Sequence, residues 1–234
     1  MAPGTDVSLV FNPVDTDFFA PPGDEASTSF RAAHAEVFPG DSRPVFVFSG
    51  TFSNYIGLST LMKALKEVKA ATERFRFLMI GQGEGEQGMR EFIAQNSLED
   101  QVRILPFMER PELISYICAA DYCFASLRDS PMLRYAIPTK IIEYLACNKE
   151  VVAVVAGPFG EMLKQADAAT VCPPGDARAI AEVLRGIIER HPAPSASRQP
   201  RAFVEQNFSL GPFAREFSEF FRKLEPPVCG ERGV

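Results

Sequence analysis

The sequence predicts an α/β fold: a six-stranded parallel sheet with helices on both faces. Three observations carry that expectation. Between Pro44 and Arg190, short β-rich runs alternate with amphipathic stretches, the signature of βα units on a parallel sheet. In the first amphipathic stretch Leu58, Leu61, Met62, Leu65 and Val68 recur at helical spacing, so one face packs on the sheet. At 234 residues and 46% hydrophobic content the chain can bury a full core, which excludes disorder and a disulfide-stapled mini-protein.

Taken in order, strands are predicted at 44–50 (PVFVFSG), 75–81 (FRFLMIG), 102–107 (VRILPF), 122–126 (YCFAS), 150–156 (EVVAVVA) and 169–172 (ATVC). Helices are predicted at 58–71, 86–96, 110–120, 139–147, 159–166 and 176–190. Six strands make a Rossmann-like set, and right-handed crossovers fix most of the topology. Residues 191–200 (HPAPSASRQP) are a Pro/Ser break. Beyond it, 213–224 (FAREFSEFFRKL) reads as an aromatic amphipathic helix carrying Phe213, Phe217, Phe220 and Phe221, which either packs on its own domain or docks elsewhere. Residues 225–234 read as a frayed tail. Residues 1–43 hold one short strand candidate at 7–11, then NPVDTDFF, then a Pro/Gly/Asp/Ser-rich run, too little to make a domain.

Composition narrows the function. The net charge is −6 and the 24 Lys and Arg residues are dispersed, which argues against a sequence-independent nucleic-acid surface. No apolar run approaches the roughly 20 residues of a membrane-spanning helix, and the N-terminus lacks the pattern of a signal peptide, so a cytoplasmic location is expected by default. Five cysteines (118, 123, 147, 172 and 229) contain no C-x-x-C pair, so they read as small core residues rather than a disulfide framework or a metal site.

In an open parallel sheet, ligands sit outside the carboxyl ends of the strands, where helix N-termini present free N–H groups. Two glycine-marked loops fall there. GEGEQG (83–88) matches G-x-G-x-x-G, with Glu109 about 20 residues on where a ribose-binding acid stands in dinucleotide enzymes. Against that reading, Glu84 and Glu86 place negative charge where a pyrophosphate would lie, which favours a structural turn. GTFSNYIG (50–57) has Gly50 for a tight turn, Gly57 at the helix start, and Thr51, Ser53 and Asn54 as neutral donors; it suits a phosphate or an ordinary βα turn equally.

IPTKIIEYLACNKEVVAV (137–154) is the most informative stretch. Pro138 stands at a helix start with Thr139 and Lys140 in the first turn, where a cation opposes the helix dipole and calls for an anionic partner. Glu143, three residues on, shares that helix face. A phosphate at Lys140 and a ribose at Glu143 would satisfy both; a plain surface Lys–Glu pair is the alternative.

The order and spacing of VFVFSGTFSNYIGLSTLMKAL, FRFLMIGQGEGEQGMREFI, VRILPFMERPELISYICAADYCFASL, IPTKIIEYLACNKEVVAVVAGPFGEML and VCPPGDARAIAEVL resemble the C-terminal, nucleotide-sugar-binding half of retaining GT-B glycosyltransferases of group 1. The likeness covers about residues 44–190 and is greatest to the subgroup with a P-[ST]-K-x-x-E-Y segment, as in bacterial polysaccharide assembly. The resemblance implies one half of a GT-B fold and metal-independent transfer from a nucleoside diphosphate sugar, such as a UDP- or GDP-sugar, with no cofactor. It implies that Glu143 holds the donor ribose and Lys140 neutralises diphosphate charge. The loop Gly50, Thr51, Ser53 and Asn54 would lie against the diphosphate, and backbone at Phe107 and Met108 would meet the base. Gly160 and Glu161, at the next helix start, would lie near the phosphates.

Departures accompany the likeness. Where many members carry an Arg and a Lys in the first loop, this chain has Thr51 and Ile56, and Tyr135 stands where the first of two paired glutamates would be. Lys140, with Arg128 or Arg134, would have to compensate, and Asp129 is a candidate sugar contact. VSLVFNPVDTDFFAPP resembles the last strand of the family's N-terminal domain and the linker, with Pro13 in place of a glycine. The expected organisation is therefore 1–43 as a remnant of the acceptor domain and linker, 44–190 as the nucleotide-sugar domain, 191–224 as C-terminal helices and 225–234 as a tail. The missing half would come from a separate N-terminal-domain protein or a longer chain, and the complete enzyme would sit at the inner membrane face if its acceptor is lipid-linked. A non-catalytic interaction module with a degenerate donor site and a nicotinamide-dependent oxidoreductase using GEGEQG remain as alternatives.

Overall fold

The computed structural model describes residues 11–192 and 198–224. In chain order its elements are α1 (Asp24–Ala33), β1 (Val45–Thr51), α2 (Leu58–Ala71), β2 (Arg76–Gln82), α3 (Glu86–Gln95), β3 (Val102–Leu105) and α4 (Arg110–Ala119). They continue with β4 (Tyr122–Ser126), a 3-10 turn (Leu133–Tyr135), α5 (Thr139–Ala146), β5 (Glu150–Val154), α6 (Gly157–Gln165), β6 (Thr170–Cys172), α7 (Ala177–Arg190), α8 (Pro200–Asn207) and α9 (Leu210–Leu224). All six strands lie parallel in the order β3-β2-β1-β4-β5-β6, the predicted Rossmann-like sheet. Strand order reverses between β1 and β4, and the loops leaving those two strands diverge to form a crevice.

Alternation along the strands divides the core in two. Phe46, Phe48, Phe77, Met79, Tyr122 and Phe124 point to one face, under α2, α3 and α7. Val45, Val47, Leu78, Ile80, Cys123 and Ala125 point to the other, under α4, α5 and α6. The first face is aromatic, with Phe46 stacked on Phe77 and on Tyr122 at centroid distances of 5.9 and 5.1 Å. The second is built of smaller residues, which lets α5 approach β1 closely.

Several boundaries move for local reasons. β3 stops at Leu105 because Pro106 has no N–H for the ladder. Pro138 is the N-cap residue of α5 rather than its first helical residue. α6 begins at Gly157, so Gly160 and Glu161 lie in its second turn and not at its start, a correction to their expected placement.

The segment expected to be a linker carries α1, a helix that the sequence analysis does not predict. Phe30 meets Tyr116 of α4 edge-on at 5.1 Å, and the Arg31 guanidinium donates to Ala119 O and Asp121 Oδ1 at 2.9 and 3.0 Å. Val14, Phe19, Val37 and Phe38 join the core. Most of the strand candidate at 7–11, part of the 191–200 break, and the 225–234 tail with Cys229 lie outside the described residues.

Arg201 of α8 holds the strap 12–19 to the domain. It donates to Thr16 O (2.9 Å), Phe19 O (3.0 Å) and Ala146 O (2.7 Å), and its Nε pairs with Glu205 at 2.8 Å. Arg201→Met leaves three carbonyls short of a donor, so chemical denaturation should show a loss of about 3 kcal/mol. Arg201→Lys should recover only part of it, because an ammonium lacks the planar fork.

Between Leu210 and Lys223 no residue of α9 is buried; Phe217 and Phe221 stay exposed while Phe213, Phe217 and Phe221 contact one another in series. Cys118, Cys123, Cys147 and Cys172 are buried free thiols, and burial pushes Cys123 up to about 12 and Cys172 to about 11, so both stay protonated and inert. Among the described residues no helix is long and apolar enough to cross a membrane.

Candidate functional site

The crevice at the carboxyl ends of β1 and β4 is built on two glycines. Gly50 of β1 pairs in register with Gly81 of β2. A side chain at Gly81 would place Cβ 1.9 Å from Gly50 O, and one at Gly50 would place it 2.7 Å from Cε of Lys140. Both have positive φ, 147° and 154°. Bare backbone at these two positions lets the strand ends close up and lets the Lys140 stem lie across β1.

Tyr144, one turn beyond Lys140, sets the height of α5. Its fully buried hydroxyl accepts the Ser49 N–H at 2.8 Å and shares a hydrogen with Ser49 Oγ at 2.9 Å. Burial pushes the phenol far up, so it stays protonated. No local signal marks this tyrosine, because its partner lies 95 residues away in the chain.

Lys140 thus projects into a cavity of about 350 Å³ whose other walls include Thr51, Gly83, Phe107, Met108 and Leu113. It makes no side-chain hydrogen bond or ion pair among the described residues. Burial holds its pKa below the ordinary lysine value, opposed by the Glu143 carboxylate and reinforced by the Arg110 guanidinium. Phe107 is 60% exposed, an aromatic ring bare at the cavity mouth.

Glu143 opens into an adjoining cavity of about 420 Å³ with Asn12, Asp15, Phe18, Arg110 and Thr139. The strap held by Arg201 is one wall of it. Lys140 and Glu143 therefore sit on one helical turn but line two neighbouring chambers rather than a single one. An anion can meet the lysine in the first chamber while hydroxyls meet the carboxylate in the second.

Of the other predicted residues, Gly50, Thr51, Phe107 and Met108 share the Lys140 cavity. Ser53 and Asn54 do not: they line a third cavity of about 530 Å³ on the α2–α3 side of the loop, with Ile56, Phe92 and Arg128. Gly160 is buried against Val155 and Val171, and Glu161 pairs with Lys164 on the surface at 3.0 Å, so neither reaches the crevice. Asp129 lies beside Gly175, apart from Lys140. Among the described residues no three His, Cys, Asp or Glu side chains cluster as metal ligands.

The sequence profile described as "Glycosyl transferases group 1" matches residues 29–202. The chain belongs to the group 1 glycosyltransferases.

Within that family it is 27% identical over 173 residues to the amylovoran biosynthesis glycosyltransferase AmsK of Erwinia amylovora, covering 72% of this chain and 42% of the relative. It is 25% identical over 171 residues to the putative colanic acid biosynthesis glycosyltransferase WcaL of Escherichia coli K12, with the same coverage of 72% and 42%. The chain thus spans less than half the length of these curated relatives. Anabaena Alr3699/HepE, solved in complex with UDP, superimposes with a TM-score of 0.78 at 18% identity, covering 92% of this chain and 57% of that one. The C-terminal domain of the group 1 protein LpcC from Francisella tularensis gives 0.60 at 17% identity, covering 88% of this chain and 98% of that domain. These likenesses establish the fold, and the second sets this group 1 chain beside an isolated C-terminal domain.

Membership overturns the nicotinamide reading of GEGEQG, and the loop's own bonds say why. Gly85 N donates to Phe52 O at 2.8 Å, Phe52 N donates to Gln82 O at 2.9 Å, and Glu84 Oε1 accepts from Asn54 N at 3.3 Å. The loop is a turn braced against Phe52, with a carboxylate where a pyrophosphate would have to enter.

Proposed function

We propose that this chain is the donor-binding domain of a retaining glycosyltransferase that transfers a sugar from a nucleoside diphosphate sugar to a glycan or lipid-linked acceptor. One observation carries the reading: an unpartnered lysine seated over Gly50, one turn from a carboxylate that opens into the next chamber. Lys140 takes the donor diphosphate, stabilising the leaving nucleoside diphosphate by protein charge. Glu143 takes the ribose hydroxyls. Phe107 and Met108 offer the base an apolar wall and backbone groups, with Gly50 and Thr51 beside the diphosphate. Solved structures of HepE with UDP and UDP-glucose support a uridine nucleotide as the donor. The named relatives support an acceptor in polysaccharide biosynthesis; a lipid-linked acceptor would put the reaction at the cytoplasmic membrane face. Relatives in which the match covers only 42% of the length support an N-terminal acceptor domain as the partner that completes the catalytic site.

Calorimetric titration with UDP, GDP and their sugars tests this. The wild type should bind a nucleoside diphosphate, and Glu143→Ala should weaken it about tenfold, the loss of a charge-assisted hydrogen bond to ribose. An unaltered affinity in the variant would sink the reading. The exposed Phe217 and Phe221 and the neutral Thr51 and Ile56 favour a second reading, an interaction module with a disused crevice. Light scattering during size-exclusion chromatography separates them: a monomer that binds nucleotide contradicts the module.

A further inference from the structure

Thr51 and Ile56 put no charge into the loop after β1, and the other candidate cations are elsewhere. Arg128 lines the third cavity and Arg134 is exposed on the 3-10 turn before α5. The opposite wall of the crevice is different. There the first turns of two helices line a common chamber through Arg110 and Thr139, and each carries a cation: Arg110 in α4 and Lys140 in α5. A cation at that end of a helix faces the positive pole of the dipole, so both raise the energy of the empty protein.

The start of α4 serves both chambers. Met108 and Leu113 close the Lys140 cavity, and Arg110, between them in sequence, lines the chamber with Thr139 and Glu143. Arg110 makes no ion pair among the described residues. The carboxylates that share its chamber are otherwise engaged or reserved: Asp15 Oδ1 accepts the N–H groups of Asp17 and Phe18 at 3.0 and 2.9 Å, and Glu143 faces the ribose in the reading above. The guanidinium also lies close enough to Lys140 to disfavour that lysine's charge, so an anion between the two relieves both at once.

We propose that Arg110 is the second cation for the donor phosphates, acting with Lys140 from the α4–α5 wall in place of charge on the β1–α2 loop. This rests on the nucleotide-binding reading. A guanidinium presents two parallel donors to a phosphate, and its exposed position keeps the cost of holding an unpaired charge in the empty protein low.

The test is affinity against ligand charge. Wild type, Arg110→Ala and Arg110→Lys are titrated with UDP, UMP and uridine, with thermal melts confirming that this exposed position leaves folding intact. Arg110→Ala should weaken UDP about tenfold, UMP about threefold and uridine less than twofold, and Arg110→Lys should restore only part of the UDP affinity, since it keeps the charge and loses the fork. Added salt should shrink the difference between wild type and Arg110→Ala on UDP. An equal loss on all three ligands would place Arg110 on the base or ribose and overturn the proposal, as would unchanged UDP binding. Failure of the nucleotide reading looks different: the wild type would bind none of the three.

Discussion

Gly81→Ala is expected to lower stability by about 4 kcal/mol or more, because its Cβ would stand 1.9 Å from Gly50 O, a backbone atom that cannot swing aside. Relief requires parting β1 from β2, two interior strands paired over seven residues, and φ at this position is 147°. For a domain of this size that corresponds to a fall in Tm of roughly 8–16 °C, read by calorimetry. Gly88→Ala is the internal control. No atom lies within 4 Å of its added Cβ and it is inside α3, so this substitution should raise stability by about 0.5–1 kcal/mol. Similar losses in the two variants would contradict the close approach of Gly50 and Gly81.

Lys140→Met is expected to have the largest effect on binding. Removing a half-buried cation from the chamber proposed for the donor phosphates should weaken UDP by roughly 10- to 100-fold, the range for hydrogen bonds to charged groups. The empty protein should gain stability, since methionine replaces a desolvated charge of similar length that no described residue pairs. The pH dependence follows from the same burial. The lysine's pKa is lowered in the fold, so the unfolded chain binds its proton more tightly; stability therefore rises with pH between the lowered value and the ordinary lysine value. A bound diphosphate reverses the shift. Affinity should be constant below the lowered pKa and fall above it, with a proton taken up on binding in that alkaline window. Calorimetry in two buffers of different ionisation enthalpy reads the uptake, which Lys140→Met should abolish; uptake that persists in the variant assigns it to another group.

The sheet and six of its helices were legible because their signals are local. Apolar spacing in 58–71 gives α2 to the residue, and Pro106 and Gly157 shift their neighbours' ends only by a few positions. α1 was not legible: DEASTSFRAA has no buried residue, and its position depends on Tyr116 and Asp121, which lie far away in sequence. At the site, Lys140 and Glu143 stood out because a cation in a helix's first turn is an anomaly visible in eight residues. Arg110 is the same anomaly in α4, but Glu109 and Glu112 beside it in sequence make it read as an ordinary surface charge.

The β1–α2 loop shows where local reading ends. Thr51 and Ser53 are two residues apart, yet one faces the Lys140 cavity and the other the chamber behind it, because the chain turns over between them. Gly160 and Glu161 fail to reach the crevice for a related reason: starting α6 at Gly157 places them beyond its first turn.

The sequence by itself determined the class of fold, the family likeness and the two charged residues of α5, all of which depend on periodicity or on charge within a single helical turn. Only the folded chain seats Lys140 over Gly50, holds α5 to Ser49 through Tyr144, and brings Arg110 rather than Arg128 or Arg134 into electrostatic range of the lysine. Those relations join residues about 30 to 95 positions apart. They exist because strand order reverses between β1 and β4, bringing the starts of α4 and α5 to the end of β1.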